Sequence, residues 1–335
     1  MKKEKLAMLL ISLLSLAAVE ECRAQEHVKT TSKYTDTVLV ADSLLVDSAS
    51  TSKRGERRRR QRYNSLLGEE QTDKIFSSLF GTSKKLSNAD SIIKHMDALP
   101  PFGIYKDNFF IVGTQMFTTP TRWNSDAKFQ VSIRHRLTNS TLPFKTYLFL
   151  TYTQKAFWDV FKESFPFRDL NYNPSLGIGK TLVYKNRLLG AIALQLEHES
   201  NGKDGIDSRS WNKVTMTSTF IIHEHWMLES EMWIPIVDGN ENKNIVDYSG
   251  WANFSVDYTS PNKKYVFGVS VTKRKGWNLN HNVTLQAAAR IFSDSNQFLF
   301  LEYYNGYGES MLDYKQYRQR LRLGFVIKPD FMNLF

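Results

Sequence analysis

The chain has 335 residues and a formal net charge of +10, room for one large domain or two small ones. Within ten residues, Lys53, Arg54, Arg57, Arg58, Arg59, Arg60 and Arg62 stand against Glu56 alone and carry +6 of that excess. A surplus so confined describes a tail, and a nucleic-acid-binding fold surface is set aside.

In chain order, the first element is a targeting segment. Lys2, Lys3 and Lys5 precede an apolar run from Leu6 to Val19, and Cys22-Arg23-Ala24 offers small residues before a cut at Gln25. That layout predicts a signal peptide over residues 1–24. The run is shorter than the roughly 20 residues a spanning helix needs. Cleavage after Ala24 would remove Cys22, the single cysteine, and with it disulfides and thiolate metal sites.

Residues 25–99 read as a disordered basic periplasmic tail. They are rich in Ser, Thr, Asp, Lys and Arg to about position 70, and such a composition buries too little apolar surface to fold. The pairs Ile75-Phe76, Leu79-Phe80 and Ile92-Ile93 predict one or two short amphipathic helices near its end. The arginine run reads first as a solvated linker, and second as a contact for anionic headgroups or cell-wall polymer.

From residue 100 to 335 the pattern changes to period-two alternation in segments of about ten residues. Twelve segments are predicted: 108–117, 127–136, 144–154, 172–183, 187–199, 211–222, 225–236, 247–258, 263–273, 281–292, 296–306 and 317–327. In the last, Leu321, Leu323, Phe325 and Ile327 share one face, and Arg320, Arg322 and Gly324 the other. An even number of such strands predicts an all-β fold, a twelve-stranded antiparallel transmembrane β-barrel with apolar residues toward lipid and polar ones toward the lumen. Trp211, Trp226, Trp233, Trp251, Trp277, Tyr303 and Tyr304 are expected in the interfacial girdles. A soluble sandwich or lipocalin-like barrel shows the same alternation turned inside out. The secretory leader and the strand count favour the membrane version.

One stripe breaks the pattern. Ile192, Leu194, Leu196, His198 and Ser200 are spaced by two and point the same way. Polar groups that extend a lipid-facing stripe are costly unless paired or held at headgroup level. On the following strand Asn212 begins a mostly apolar stripe that continues through Val214, Met216, Ser218, Phe220 and Ile222. The connection through 201–210 brings the two polar ends to one rim. Ser200 is then a nucleophile candidate, His198 the base that activates it, and Asn212 the group that orients the ring. A neutral orienter leaves room for a metal ion to stabilise developing charge. His223 and His225 are spaced like a metal pair but lack a third ligand, and Asp204 and Asp207 read equally as turn residues.

The segment His198-Glu199-Ser200-Asn201-Gly202, followed by Asp207-Ser208-Arg209-Ser210-Trp211-Asn212, closely resembles the signature of bacterial outer-membrane phospholipase A. So do Tyr152-Thr153-Gln154-Lys155, Pro166-Phe167-Arg168-Asp169 with Asn171-Tyr172, and Gly306-Tyr307-Gly308-Glu309-Ser310 with Asp313-Tyr314. The resemblance covers roughly 105–328 in consistent order. It implies a twelve-stranded barrel and a phospholipase A1/A2 that hydrolyses acyl esters of glycerophospholipids. It implies His198, Ser200 and Asn212 as catalytic, and Gly202 as an oxyanion donor. Calcium is the implied cofactor, bound by the Ser208 side chain, the Lys203 carbonyl and Ser164 of the second subunit. Gln154 matches a polar dimer-interface position, and activity is implied to follow homodimerisation. Lys203 stands where arginine is usual, Glu199 replaces a neutral residue, and the loop before Pro166 is short.

The expected protein is therefore a phospholipid hydrolase of the cell outer membrane, with its tail in the periplasm. The alternative is a non-enzymatic barrel, either a porin or a surface-binding protein. A soluble periplasmic β-protein is the third reading.

Overall fold

The computed structural model describes residues 89–329 apart from 185–186, 224, 237–241, 277 and 293–294. The expected signal peptide, the arginine run and Trp277 lie outside the described residues. A helix, α1 (Ala89–Ala98), leads into a short strand β1 (Phe102–Ile104). The wall follows as β2 (Asn108–Gln115), β3 (Ser125–Arg136), β4 (Tyr147–Trp158), β5 (Phe167–Tyr184), β6 (Arg187–Ser200) and β7 (Ser210–His223). It continues through β8 (Trp226–Ile236), a short helix α2 (Ile245–Ser249), β9 (Ala252–Thr259) and β10 (Tyr265–Lys273). Its last strands are β11 (His281–Arg290), β12 (Gln297–Gly306) and β13 (Arg318–Ile327).

Each strand pairs antiparallel with the next, and β13 returns to β2 with Leu323 opposite Val112. The ring from β2 to β13 is a closed twelve-stranded barrel, as the alternation predicts. Closure leaves no open edge in the hydrocarbon, where an unpaired amide would be expensive. β1 extends the β2 position, pairing Phe102 with His135 of β3. The strand expected from 247 begins instead at Ala252. Residues 245–249 coil into α2, and Gly250, with φ +85°, donates its amide to the Val246 carbonyl and turns the chain.

Alternation divides the wall in two. Leu196, Ile222, Ile234, Phe267, Leu323 and Phe325 are exposed on the outside. Lys128, Arg134, Gln195, Glu302, Arg320 and Arg322 are buried on the inside. An apolar exterior around a charged interior is the inverse of a soluble barrel and defines a lipid-facing wall. Among the described residues no helix is long and apolar enough to cross a membrane.

The girdle expectation needs correcting. Trp211 is buried, and Trp233 packs with it in an inner cluster with Ile245, Met311 and Tyr314; Tyr304 is buried as well. Strand parity turns these three inward. Trp226, tilted against the Tyr258 ring at 4.8 Å, and Trp251 stay on the exterior. Trp158 stacks on Phe167 at 5.2 Å near the other rim, a pair the strand-end reading left out.

Helix α1 packs inside the lumen. Ile92 and Met96 of α1, with Leu99, pack on Tyr147 and Phe149 of β4, Leu188, Ala191 and Ala193 of β6, and Ile221 of β7. These are the strands whose other ends carry Gln154, His198, Ser200 and Asn212. Arg136 reaches from β3 to the end of α1 and donates to the carbonyls of Met96 (2.5 Å), Asp97 (2.8 Å) and Leu99 (2.8 Å). A cation there satisfies orphan helix carbonyls and complements the helix dipole. The Arg136→Ala variant is expected to lose about 2–3 kcal/mol of stability, since charge-assisted bonds are involved. It should also expose α1 to limited proteolysis; an unchanged cleavage pattern would refute the clamp.

Candidate active site

The hairpin between β6 and β7 carries the site. His198 lies directly opposite Asn212, and Ser200 opposite Ser210. The pairing comes from the alternation itself: two strands joined by a short turn present matching outward positions at the same height. His198 Nδ1 lies 2.9 Å from Asn212 Oδ1. An amide oxygen only accepts, so Nδ1 carries the hydrogen and the Nε2 lone pair is free to act as a base. Ser200 follows two residues later on the same face, and exposed Leu194 and Leu196 precede the pair. The set lies on the outer wall, where the sequence stripe places it.

The inner face of the same strands carries a different set. Glu199 accepts from Trp211 Nε1 at 2.8 Å and from Lys213 Nζ at 3.0 Å. Its charge is therefore turned to the lumen side and neutralised there, not presented to the outer site.

Three more site expectations fall on the same rim. Gly202 has φ +62°, a left-handed conformation, and a Cβ there would come within 3.0 Å of Tyr172. Tyr172 lies opposite Ser200 on one side and Gln154 on the other. Gln154, Tyr172 and Ser200 thus form one outward row across β4, β5 and β6. Gln154 Oε1 accepts from the Tyr152 hydroxyl at 3.1 Å. Lys203 and Ser208 stand on the two sides of a 3-10 turn, Gly205–Asp207, that closes the hairpin. Ser164 occupies the exposed loop after β4 with φ +63°. That loop and the hairpin connect strands at the same end of the barrel, with β5 and β6 between them in the chain.

Sequence reasoning missed what supports this rim. Asp126 accepts from Arg322 at 2.9 and 3.2 Å and from Arg168 at 2.9 Å. Arg322 also donates to Glu309 at 2.5 Å, and Lys128 bridges Glu302 at 2.8 Å and Glu309 at 3.4 Å. Arg168 continues outward to Asp159 of the Ser164 loop at 2.9 Å. The Lys203 ammonium donates to the Arg168 carbonyl at 2.8 Å, which ties the hairpin to β5. Asp169 and Asn171 accept the backbone amides of Leu312 (2.9 Å) and Met311 (3.2 Å). The Pro166–Tyr172 and Gly306–Tyr314 motifs thus act as ties that fasten the outer loops to the wall. Their charged residue types at alternating positions were the available signal.

His225 packs edge-on against the Tyr258 ring. Among the described residues no group of three or more His, Cys, Asp or Glu could hold a metal. The hairpin itself offers carbonyl and hydroxyl oxygens beside the exposed carboxylates of Asp204 and Asp207. The Lys203 carbonyl and the Ser208 hydroxyl fit a hard cation in kind. Two such donors are fewer than the six to eight oxygens such an ion takes, and water or further protein oxygens would complete the shell.

A closed barrel with an apolar exterior and a His-Ser-Asn set on that exterior defines a membrane protein with hydrolase-type residues facing lipid. The chain matches the phospholipase A1 family over residues 106–327, and it belongs to that family, the outer-membrane phospholipases. It is 29% identical to phospholipase A1 of Proteus vulgaris over 213 residues, covering 62% of this chain and 71% of that one. Its fold is similar to the Salmonella typhi outer-membrane phospholipase dimer with bound calcium, at TM-score 0.62 and 24% identity, covering 73% of this chain and all of that one. It is also similar to an active-site mutant of Escherichia coli outer-membrane phospholipase A in which an asparagine is replaced by alanine. There the TM-score is 0.61 and the identity 25%, covering 72% of this chain and 98% of that one.

Proposed function

We propose that this chain is a calcium-dependent phospholipase that cleaves acyl esters of glycerophospholipids at both A1 and A2 positions, using Ser200, His198 and Asn212. The observation that carries the reading is the 2.9 Å His198–Asn212 contact on the lipid-facing wall, two residues from Ser200. A nucleophile on that wall meets its substrate by diffusion within the bilayer. The active-site asparagine named for the Escherichia coli relative supports the role given to Asn212.

In this mechanism His198 Nε2 takes the Ser200 proton as Oγ attacks the acyl carbonyl carbon. Asn212 Oδ1 holds the ring through Nδ1–H and steadies the imidazolium. The Gly202 amide donates to the oxyanion. The alcohol of the lysophospholipid leaves with the proton from His198. Water, deprotonated by His198, then attacks the acyl-serine and releases the fatty acid. Calcium, when bound by Lys203 O, Ser208 Oγ and the other subunit's copy of Ser164, would add positive charge beside the oxyanion. The donor shortage within one chain supports a homodimer as the active form, with Gln154 in the buried interface. The long-loop rim would face the outer leaflet, with the tail, residues 25–99, on the periplasmic side.

Two measurements test the reading. Detergent-solubilised protein is expected to release fatty acid from phosphatidylcholine micelles with calcium and to lose at least nine-tenths of that activity with EGTA. Equal rates in both would remove calcium from the mechanism. The Gly202→Ala variant is expected to lower kcat by about 10²-fold, the scale for a displaced oxyanion donor. A left-handed alanine also costs roughly 1–2 kcal/mol locally. Wild-type kcat in that variant would exclude Gly202 from the oxyanion site.

A further inference from the structure

Asn201 is the one buried residue of the 201–209 hairpin, and it is buried by what it bonds. Its side-chain Nδ2 donates to the Asp207 carbonyl at 2.8 Å. Its Oδ1 accepts the Arg209 amide at 2.9 Å and faces the Lys203 amide at 3.4 Å. Its own backbone amide donates to the Arg209 carbonyl at 3.0 Å. One carboxamide therefore spans the hairpin, touching the backbone of Lys203 on one side and of both neighbours of Ser208 on the other. Only a group that donates and accepts at the same end can do this; aspartate loses the donor and leucine loses both. Arg209 adds a second restraint, donating through Nη1 to the carbonyls of Ile206 and Ser208 at 2.7 Å each. The Ser208 carbonyl is thereby tied to the Arg209 guanidinium.

We propose that Asn201 is a positioning residue for the cation site: its carboxamide holds the two arms of the hairpin at the separation at which the Lys203 carbonyl and the Ser208 hydroxyl share one calcium ion. This rests on the calcium reading given above. A flexible loop with two neutral donors would have to be ordered by the ion itself, and that ordering would be taken from the binding free energy. A hairpin already braced through a buried amide spends little on ordering. The brace acts on the ion and not on the acyl group, because Asn201 follows Ser200 with its side chain turned into the hairpin. Its loss should appear first in calcium affinity.

The experiment is calorimetric titration of Ca2+ into detergent-solubilised protein in the Ser200→Ala background, where no hydrolysis interferes. It is paired with the calcium dependence of fatty-acid release in the Ser200 background. Asn201→Ala is expected to raise the calcium Kd about tenfold or more, the scale of two lost hydrogen bonds. The half-saturating calcium for activity should rise by the same factor. Asn201→Ser keeps a hydroxyl that accepts from a nearby amide in the same local turn and is expected to recover part of the affinity. Retention of heat-modifiable migration on gels shows that each barrel is folded; should the alanine variant lack it, the serine variant decides. A wild-type calcium Kd in a folded Asn201→Ala barrel overturns the proposal. So does a loss of activity that rising calcium does not relieve. Absence of calcium binding by the Ser200→Ala parent would instead overturn the calcium reading on which this rests.

Discussion

Replacing Ser200 with alanine is expected to lower turnover of a glycerophospholipid by about 10⁴-fold or more, the scale for losing the nucleophile of a serine hydrolase. The barrel should be untouched. Ser200 lies at the end of β6, opposite Ser210, on the outward face, and its hydroxyl supports none of the lumen network. Heat-modifiable migration and calcium binding are therefore expected to match wild type while fatty-acid release disappears. Residual catalysis would come from bound substrate and the oxyanion donor alone. His198→Ala should fall nearly as far, and the double variant no further, because the two act as a unit. Asn212→Ala should cost less, since the group it replaces is a neutral orienter and not a charge. A Ser200→Ala protein that releases fatty acid at the wild-type rate would move the nucleophile elsewhere.

The second large effect is on stability. Arg322 is fully buried and bonds Asp126 and Glu309 through four contacts between 2.5 and 3.3 Å. Arg322→Met would leave two buried carboxylates short of their shared cation, which costs about 3–5 kcal/mol. The loss should spread beyond the lumen. Glu309 lies in the loop after β12, and Asp126 shares Arg168 with Asp159 of the Ser164 loop. The variant is expected to unfold at markedly lower temperature in detergent and to bind calcium less tightly, since the loops lose their anchor. Equal unfolding temperatures for wild type and Arg322→Met would refute this.

The lumen also bears on the porin alternative. Helix α1, the Arg322 network and the inward Trp211–Tyr314 cluster take up part of the lumen and leave a cavity of about 680 Å³, whose lining includes Lys128, Glu197, Lys213 and Glu302.

What the sequence by itself determined was set by local periodicity. A strand reports its two faces every second residue, so twelve alternating segments were enough to place the wall, its lipid face and its closure. The same rule placed His198, Ser200 and Asn212 outward at one rim, because an antiparallel hairpin carries residues of matching parity to the same height. Parity also decided the failures. Trp211, Trp233 and Tyr304 near strand ends resemble girdle residues by type, but their positions point inward, where Trp211 meets Glu199. The tertiary structure alone decided the rest. That α1 enters the lumen and is held by Arg136 depends on contacts between positions some forty residues apart. That Arg168 joins three outer segments depends on strands that meet only after closure. Asn201 looked like one more turn residue in a polar loop, since a turn asparagine and a buried brace have the same letter and the same neighbours. Only the folded hairpin, by surrounding that amide with the backbone of Lys203, Asp207 and Arg209, removes it from water and makes its hydrogen bonds count. The proposed catalytic set opened by His198 and Ser200 is therefore written in the alternation, while the ties that brace its rim are written in the closure.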